Sequence, residues 1–150
     1  MDIKYMKLAL AEAKKAYLKN EAPIGCVIVK NDEVIAKAHN LRELKNKVTA
    51  HAEILAIEKA NKKLNSWRLD ECDLYVTLEP CIMCSGAIIQ ARIKNLYFGA
   101  YDPRFGACGS YENIFDKKYN HEVNVVGGIL ESDCSKLIKD FFKTLRSWLK

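Results

Sequence analysis

The sequence predicts a three-layer α/β/α domain built on a mixed sheet of about five strands. Amphipathic stretches alternate with short β-prone runs in the order α-β-β-α-β-α-β-β-α. Two of those helices stand between strands, and crossovers through them imply parallel pairing in the middle of the sheet. No repeat, linker or low-complexity stretch interrupts residues 1–150, so a single domain is expected.

Each element has a local cause. Ile3, Met6, Leu10, Ala13 and Tyr17 recur at three- and four-residue steps and predict a first helix. Lys14, Lys15 and Lys19 suit the negative pole at its end. Asn20 to Pro23 stops it, Ile24 to Lys30 reads as a largely buried strand, and Asn31-Asp32 turns the chain into a hairpin partner, Glu33 to Ala38. Asn40 to Val48 lacks periodicity and reads as a loop. Thr49 is a candidate N-cap for a helix that starts at His51 and buries Ile54, Leu55, Ile57 and Ala60, with Asn61 to Ser66 breaking it. Leu74 to Leu78 is β-prone and is closed by Pro80, which cannot donate to a ladder. A helix over Ile82 to Ala91 follows, then strands over Lys94 to Ala100 and Glu122 to Val126, and a turn at Gly127-Gly128. From Ser132 on, Leu137, Ile138, Phe141, Phe142, Leu145 and Leu149 form the apolar side of a closing helix.

Composition narrows the class. Hydrophobic residues make up 49% of the chain and charged residues 29%, as in globular proteins. No apolar run approaches the ~18–20 residues of a membrane span, and the N-terminal residues open directly on a charged amphipathic pattern, so neither a span nor a secretory leader is expected. Six cysteines are present, and with no sign of secretion a reduced, cytoplasmic protein is expected, with Cys26, Cys72, Cys108 and Cys134 as free thiols. The net charge of +5 alone is weak evidence for an acidic partner; its placement says more. Lys37, Arg42, Lys45 and Lys47 precede His51 against a single Glu43, and Lys136, Lys139, Lys143, Arg146 and Lys150 crowd the C-terminus against Asp140.

Two short stretches carry chemistry: Thr49-Ala50-His51-Ala52-Glu53 and Pro80-Cys81-Ile82-Met83-Cys84. His51, Cys81 and Cys84 are zinc ligands in type and spacing, and three protein ligands leave the fourth tetrahedral position open for catalysis. Glu53 has the chemistry to move the proton of a water that zinc activates. Cys81 and Cys84 open a predicted helix, whose positive end favours thiolate. H-x-E followed by P-C-x-x-C matches the signature of zinc-dependent nucleobase deaminases. A structural zinc would want a fourth Cys or His, and His39, His121 and the other cysteines lack its paired spacing. A thioredoxin-like C-x-x-C leaves His51 and Glu53 unexplained. His39 and His121 read as packed or loop-shaping residues, and of Phe141 and Phe142 one ring is expected inside and the other available for function.

The chain also resembles the bacterial tRNA-specific adenosine deaminases of the cytidine deaminase superfamily. Beyond the two motifs, the likeness rests on Ala22-Pro23-Ile24-Gly25, Asn40, Trp67-Arg68-Leu69, Leu74 to Pro80, Phe98-Gly99-Ala100, Asp102, Gly109-Ser110, Asn120-His121, Gly128-Ile129-Leu130 and Phe141-Phe142. Lys47-Val48 stands where such sequences often carry a proline. The resemblance implies a cytidine-deaminase-like fold, one Zn2+ per subunit and a homodimer with its RNA site built partly across the interface. The implied reaction is hydrolysis of the wobble adenosine of an arginine tRNA to inosine, with release of ammonia and Glu53 as proton shuttle. It further implies that Asn40 and the Ala52 N–H hold the target nucleotide between apolar walls from Pro23 and Ile24, while Asp102 and Phe142 meet flanking RNA. The basic loop (Lys45, Lys47) and closing helix (Lys143, Arg146) then become phosphate contacts, as recognition of a single-stranded anticodon needs. Two alternatives stand beside this: a free nucleobase or nucleotide deaminase (guanine or cytosine), and a non-catalytic RNA-binding subunit.

Overall fold

In a computed structural model, which describes the backbone of residues 1–149 and side chains through Leu145, Asn31 and Asp32 adopt φ of 50° and 60°. That left-handed pair matches the twist of a two-residue hairpin turn. It joins β1 (Gly25–Lys30) to β2 (Glu33–His39), with Lys30 paired to Glu33. Around the hairpin lie α1 (Ile3–Leu18), α2 (Arg42–Lys45), α3 (Ala52–Leu64), β3 (Cys72–Leu78), α4 (Ile82–Gln90), β4 (Asn95–Ala100), a 3-10 turn at Ile114–Asp116, β5 (Asn124–Val126) and α5 (Glu131–Leu149).

The strands form one mixed sheet in the order β2-β1-β3-β4-β5. Alternation along each strand sorts the core into two halves. Cys26, Ile28, Leu74, Val76, Leu96 and Phe98 join Ala52, Ala56, Ala60 and Ile88 beneath α3 and α4. Val27, Val29, Tyr75 and Tyr97 join Tyr5, Met6, Ala9 and Cys134 beneath α1 and α5. The result is the expected three-layer α/β/α architecture. Gly25 is where α1 presses on the sheet, since a Cβ there would run into the Ala9 carbonyl.

The crossover through α4 sets β3 and β4 parallel, and β5 continues parallel to β4. The crossover through α3 does not produce a direct pair. β1 inserts between β2 and β3 and pairs antiparallel with both.

Three local expectations need correction. The stretch read as a loop after Asn40 contains α2, because Glu21 supplies a cap from elsewhere in the chain: its buried carboxylate accepts from the Glu43 N–H (3.1 Å) and the Leu44 N–H (2.7 Å). The N-cap of α3 is His51, not Thr49, because the turn Ala50 N–H to Lys47 C=O carries the chain one step further before the helix begins. Finally, α3 runs on through Asn61 to Leu64 and ends at Asn65 in the left-handed region (φ 51°), a conformation asparagine tolerates.

Candidate metal centre and active site

Both ligand stretches sit at helix starts on the same face of the sheet. His51 is the N-cap of α3 and Cys81 the N-cap of α4, and neither helix has a side-chain cap hydrogen bond. Their first-turn N–H groups, Ala52 among them, have no intrahelical carbonyl to reach. β3 delivers Pro80-Cys81 to this end of the sheet, and the loop from Asn40 is drawn to the same end by the Leu41 N–H to Ala50 C=O bond (3.0 Å).

The His51 Nδ1 atom lies 3.8 Å from Cys81 Sγ and 3.5 Å from Cys84 Sγ. A tetrahedral zinc with N and S bonds of about 2.05 and 2.3 Å would separate such donors by about 3.6 Å. The donor atoms of all three residues fall within 4.8 Å of one another. Geometry and ligand softness therefore fit one zinc, with Cys84 buried and the other two partly open.

Electrostatics at the metal-free site divide the three ligands: Cys81 is shifted toward the ligating thiolate, whereas Cys84 and His51 hold their protons more tightly. A hydrogen bond from the Cys84 thiol pulls Cys81 down to about 4, with His51 reinforcing it, so Cys81 holds the thiolate. The same bond and burial hold the Cys84 proton in place, well above the usual thiol range. His51 is raised by its bond to Cys81. Glu53, 4% exposed, is lifted from 4.5 to about 7, chiefly by burial. A carboxyl poised there can both take and give a proton at neutral pH.

The other predicted residues are placed as follows. Asn40 is buried, with its carbonyl accepting from the Arg42 N–H (3.3 Å) and its amide reaching the Ala22 carbonyl at 3.5 Å. Pro23 is buried, and Ile24 packs partly buried against the core beneath α3 and α4. Asp102 caps its own turn, accepting from the Arg104 and Phe105 N–H groups (3.0 and 3.2 Å). Lys45, Lys47 and Lys143 are exposed, whereas the Arg146 side chain lies outside the described residues. Phe141 is half-buried, resting edge-on against Tyr17, and Phe142 is 42% exposed, so neither ring is fully inside as one was expected to be. Tyr17 closes α1 shortly before Gly25, which enters the sheet at the end where β3 exits toward Cys81. That contact brings this part of α5 to the metal-bearing end.

His39 is tied to Glu12 through Nδ1 (3.0 Å) and to Lys19 through Nε2 (2.9 Å), and His121 Nε2 lies 2.7 Å from the Ile93 carbonyl. None of the six cysteines is in a disulfide. Sequence reasoning missed two buried carboxylates beside the site, Glu21 and Glu79. Glu21 signals itself only as an acidic residue flanking an apolar run, and Glu79 only as one residue of the Leu74 to Pro80 stretch.

The chain matches the model of the MafB19-like deaminase family over residues 1–146. It is 50% identical over 143 residues to a tRNA-specific adenosine deaminase of Bacillus subtilis (strain 168), covering 95% of this chain and 89% of that protein. A structure solved in work on A-to-I editing by tRNA:A34 deaminases at the wobble position superposes with a TM-score of 0.86 at 43% identity, covering 91% of this chain and 99% of the other. A guanine deaminase from Bacillus subtilis superposes with a TM-score of 0.65 at 35% identity over 81% of each chain.

Proposed function

The chain belongs to the MafB19-like deaminase family, and from that premise we propose that it is a zinc-dependent hydrolase of tRNA. Its reaction converts adenosine to inosine at the anticodon wobble position and releases ammonia. One observation carries the reading: His51, Cys81 and Cys84 fit a tetrahedral ion beside a buried Glu53, in a chain half identical to a tRNA-specific adenosine deaminase.

Zinc held by these three ligands supplies a Lewis acid that brings the pKa of water toward ~7. The remaining work belongs to the chain. Glu53 takes a proton from the water that adds to C6 and passes it to the ring nitrogen, then takes the proton of the new C6 hydroxyl and gives it to the amino group, so that ammonia leaves as the carbonyl forms. Water is consumed, one C–O bond forms and one C–N bond breaks. Asn40 and the Ala52 N–H hold the base between Pro23 and Ile24, which keep it out of the stack and away from bulk water. Asp102 and Phe142 meet the flanking nucleotides. Lys45, Lys47, Lys143 and Arg146 meet phosphates. The same reading makes residues 1–150 one zinc-binding deaminase domain acting as a cytoplasmic homodimer, with an arginine tRNA as substrate. Among the described residues, no helix is long and apolar enough to cross a membrane.

A free-base deaminase is the competing reading, favoured by the likeness to the Bacillus subtilis guanine deaminase. The deciding experiment offers zinc-loaded protein an anticodon stem-loop with wobble adenosine beside free adenine, adenosine, guanine and cytosine. Inosine in the stem-loop, with turnover falling steeply as salt rises, supports the proposal. Salt-insensitive turnover of a free base overturns it. Stem-loop binding without ammonia release would leave a non-catalytic RNA-binding subunit.

A further inference from the structure

Glu79 is 2% exposed and stands between the end of β3 and Pro80-Cys81. Its carboxylate faces a loop from much later in the chain. Oε1 accepts from the Asp102 N–H (3.0 Å) and the Ser110 hydroxyl, and Oε2 accepts from the N–H groups of Cys108 (3.0 Å) and Ser110 (3.1 Å). Gly106 closes over the carboxyl so tightly that a Cβ there would run into it. The loop is thus wrapped around one carboxylate, and it is pinned to the ligand turn by the Ala107 N–H to Pro80 C=O bond (2.9 Å). On its outer side Arg104, Phe105, Ala107, Tyr111 and Glu112 form a groove against Ile82, the first residue of α4. Phe105 and Tyr111 are mostly exposed there.

We propose that Glu79 is a positioning residue that fixes the 102–110 loop, and with it the groove beside the metal ligands, in the shape that receives RNA flanking the target base. The inference rests on the proposed function for the identity of the substrate, but not for the anchor. A carboxylate is the group the loop demands, because every partner it meets is a donor. A glutamine amide would keep one acceptor and turn its NH2 group toward two of the four donors.

The test is Glu79→Gln, with Ser110→Ala as a milder variant that removes only the hydroxyl bond. In E79Q the zinc content should match wild type, and the amides of Asp102, Cys108 and Ser110 should exchange with deuterium faster. KM for the stem-loop should rise about tenfold, as expected when charge-assisted bonds are removed, with kcat changed less than about threefold. S110A should shift KM in the same direction by less. A merely structural role would lower the melting temperature without splitting KM from kcat. Unchanged exchange in E79Q overturns the anchor, and faster exchange with unchanged KM in both variants overturns the positioning role. Wild-type protein inert toward the stem-loop overturns the proposed function and the positioning role together, while the exchange arm still reads the anchor.

Discussion

Replacing Glu53 by glutamine separates the two consequences of burying a carboxyl beside a metal site. The side chain keeps its size, so zinc should be retained, while the proton carrier is removed; turnover should fall by ~10²–10⁴-fold. The second consequence concerns stability. Burial lifts the carboxyl from 4.5 to about 7 in the metal-free protein, which amounts to roughly 3 kcal/mol against the ionised form. The folded chain then binds this proton more tightly than the unfolded chain does. Stability is therefore fully present below about 4.5 and is lost as pH rises through about 7. Glutamine carries no such charge. Urea unfolding of the chelator-treated proteins should show E53Q more stable than wild type at pH 8 by roughly 3 kcal/mol, with the gap narrowing to under about 1 kcal/mol at pH 5. A gap independent of pH would refute the assignment of that charge to a buried position. Turnover of zinc-loaded E53Q within tenfold of wild type would refute its role in the reaction.

Three further outcomes are expected. Cys84→Ser replaces a buried soft ligand with a hydroxyl, and elemental analysis should find the zinc largely gone; full zinc content would remove Cys84 from the ligand set. Charge reversal at Lys143 and Arg146 should weaken stem-loop binding, and the slope of log affinity against log salt should become shallower by about 0.7 for each phosphate no longer neutralised. Unaltered affinity at low salt would leave that end of α5 an ordinary solvated face. Glu21→Gln should cost about 1–2 kcal/mol in denaturant unfolding, because the bonds to the Glu43 and Leu44 N–H groups cap α2.

What can be read in the sequence is local. Asn31-Asp32 announces its turn because two residues that tolerate positive φ stand between two apolar runs. His51, Glu53, Cys81 and Cys84 announce themselves because ligand chemistry and helix position coincide within a few residues. What cannot be read depends on partners distant in sequence. Nothing in the segment after Asn40 reveals that α2 forms, since its cap is Glu21 on the far side of a hairpin. The place of β1 between β2 and β3 is set by which hydrophobic faces meet, and no single strand records it. Glu79 reads as one more motif residue, because the donors that define it lie in a loop 23 to 31 positions away.

Helices usually begin on serine, threonine or aspartate, whose oxygen satisfies an early N–H, and removing such a cap costs about 1 kcal/mol. Here α3 and α4 begin on residues occupied with other chemistry. Their opening turns lack that side-chain bond, and an arriving cation would tie both down at once. Metal uptake should therefore be audible well beyond the three donors, as a slowing of hydrogen exchange at Glu53, Ile54, Met83 and Cys84. Because His51 stands 30 and 33 positions from the two sulfurs, that tightening cannot begin until β3 has brought the two helix starts together. Ion selection would then fall to a scaffold already shaped, and a tetrahedral frame disfavours metals that prefer square or octahedral surroundings.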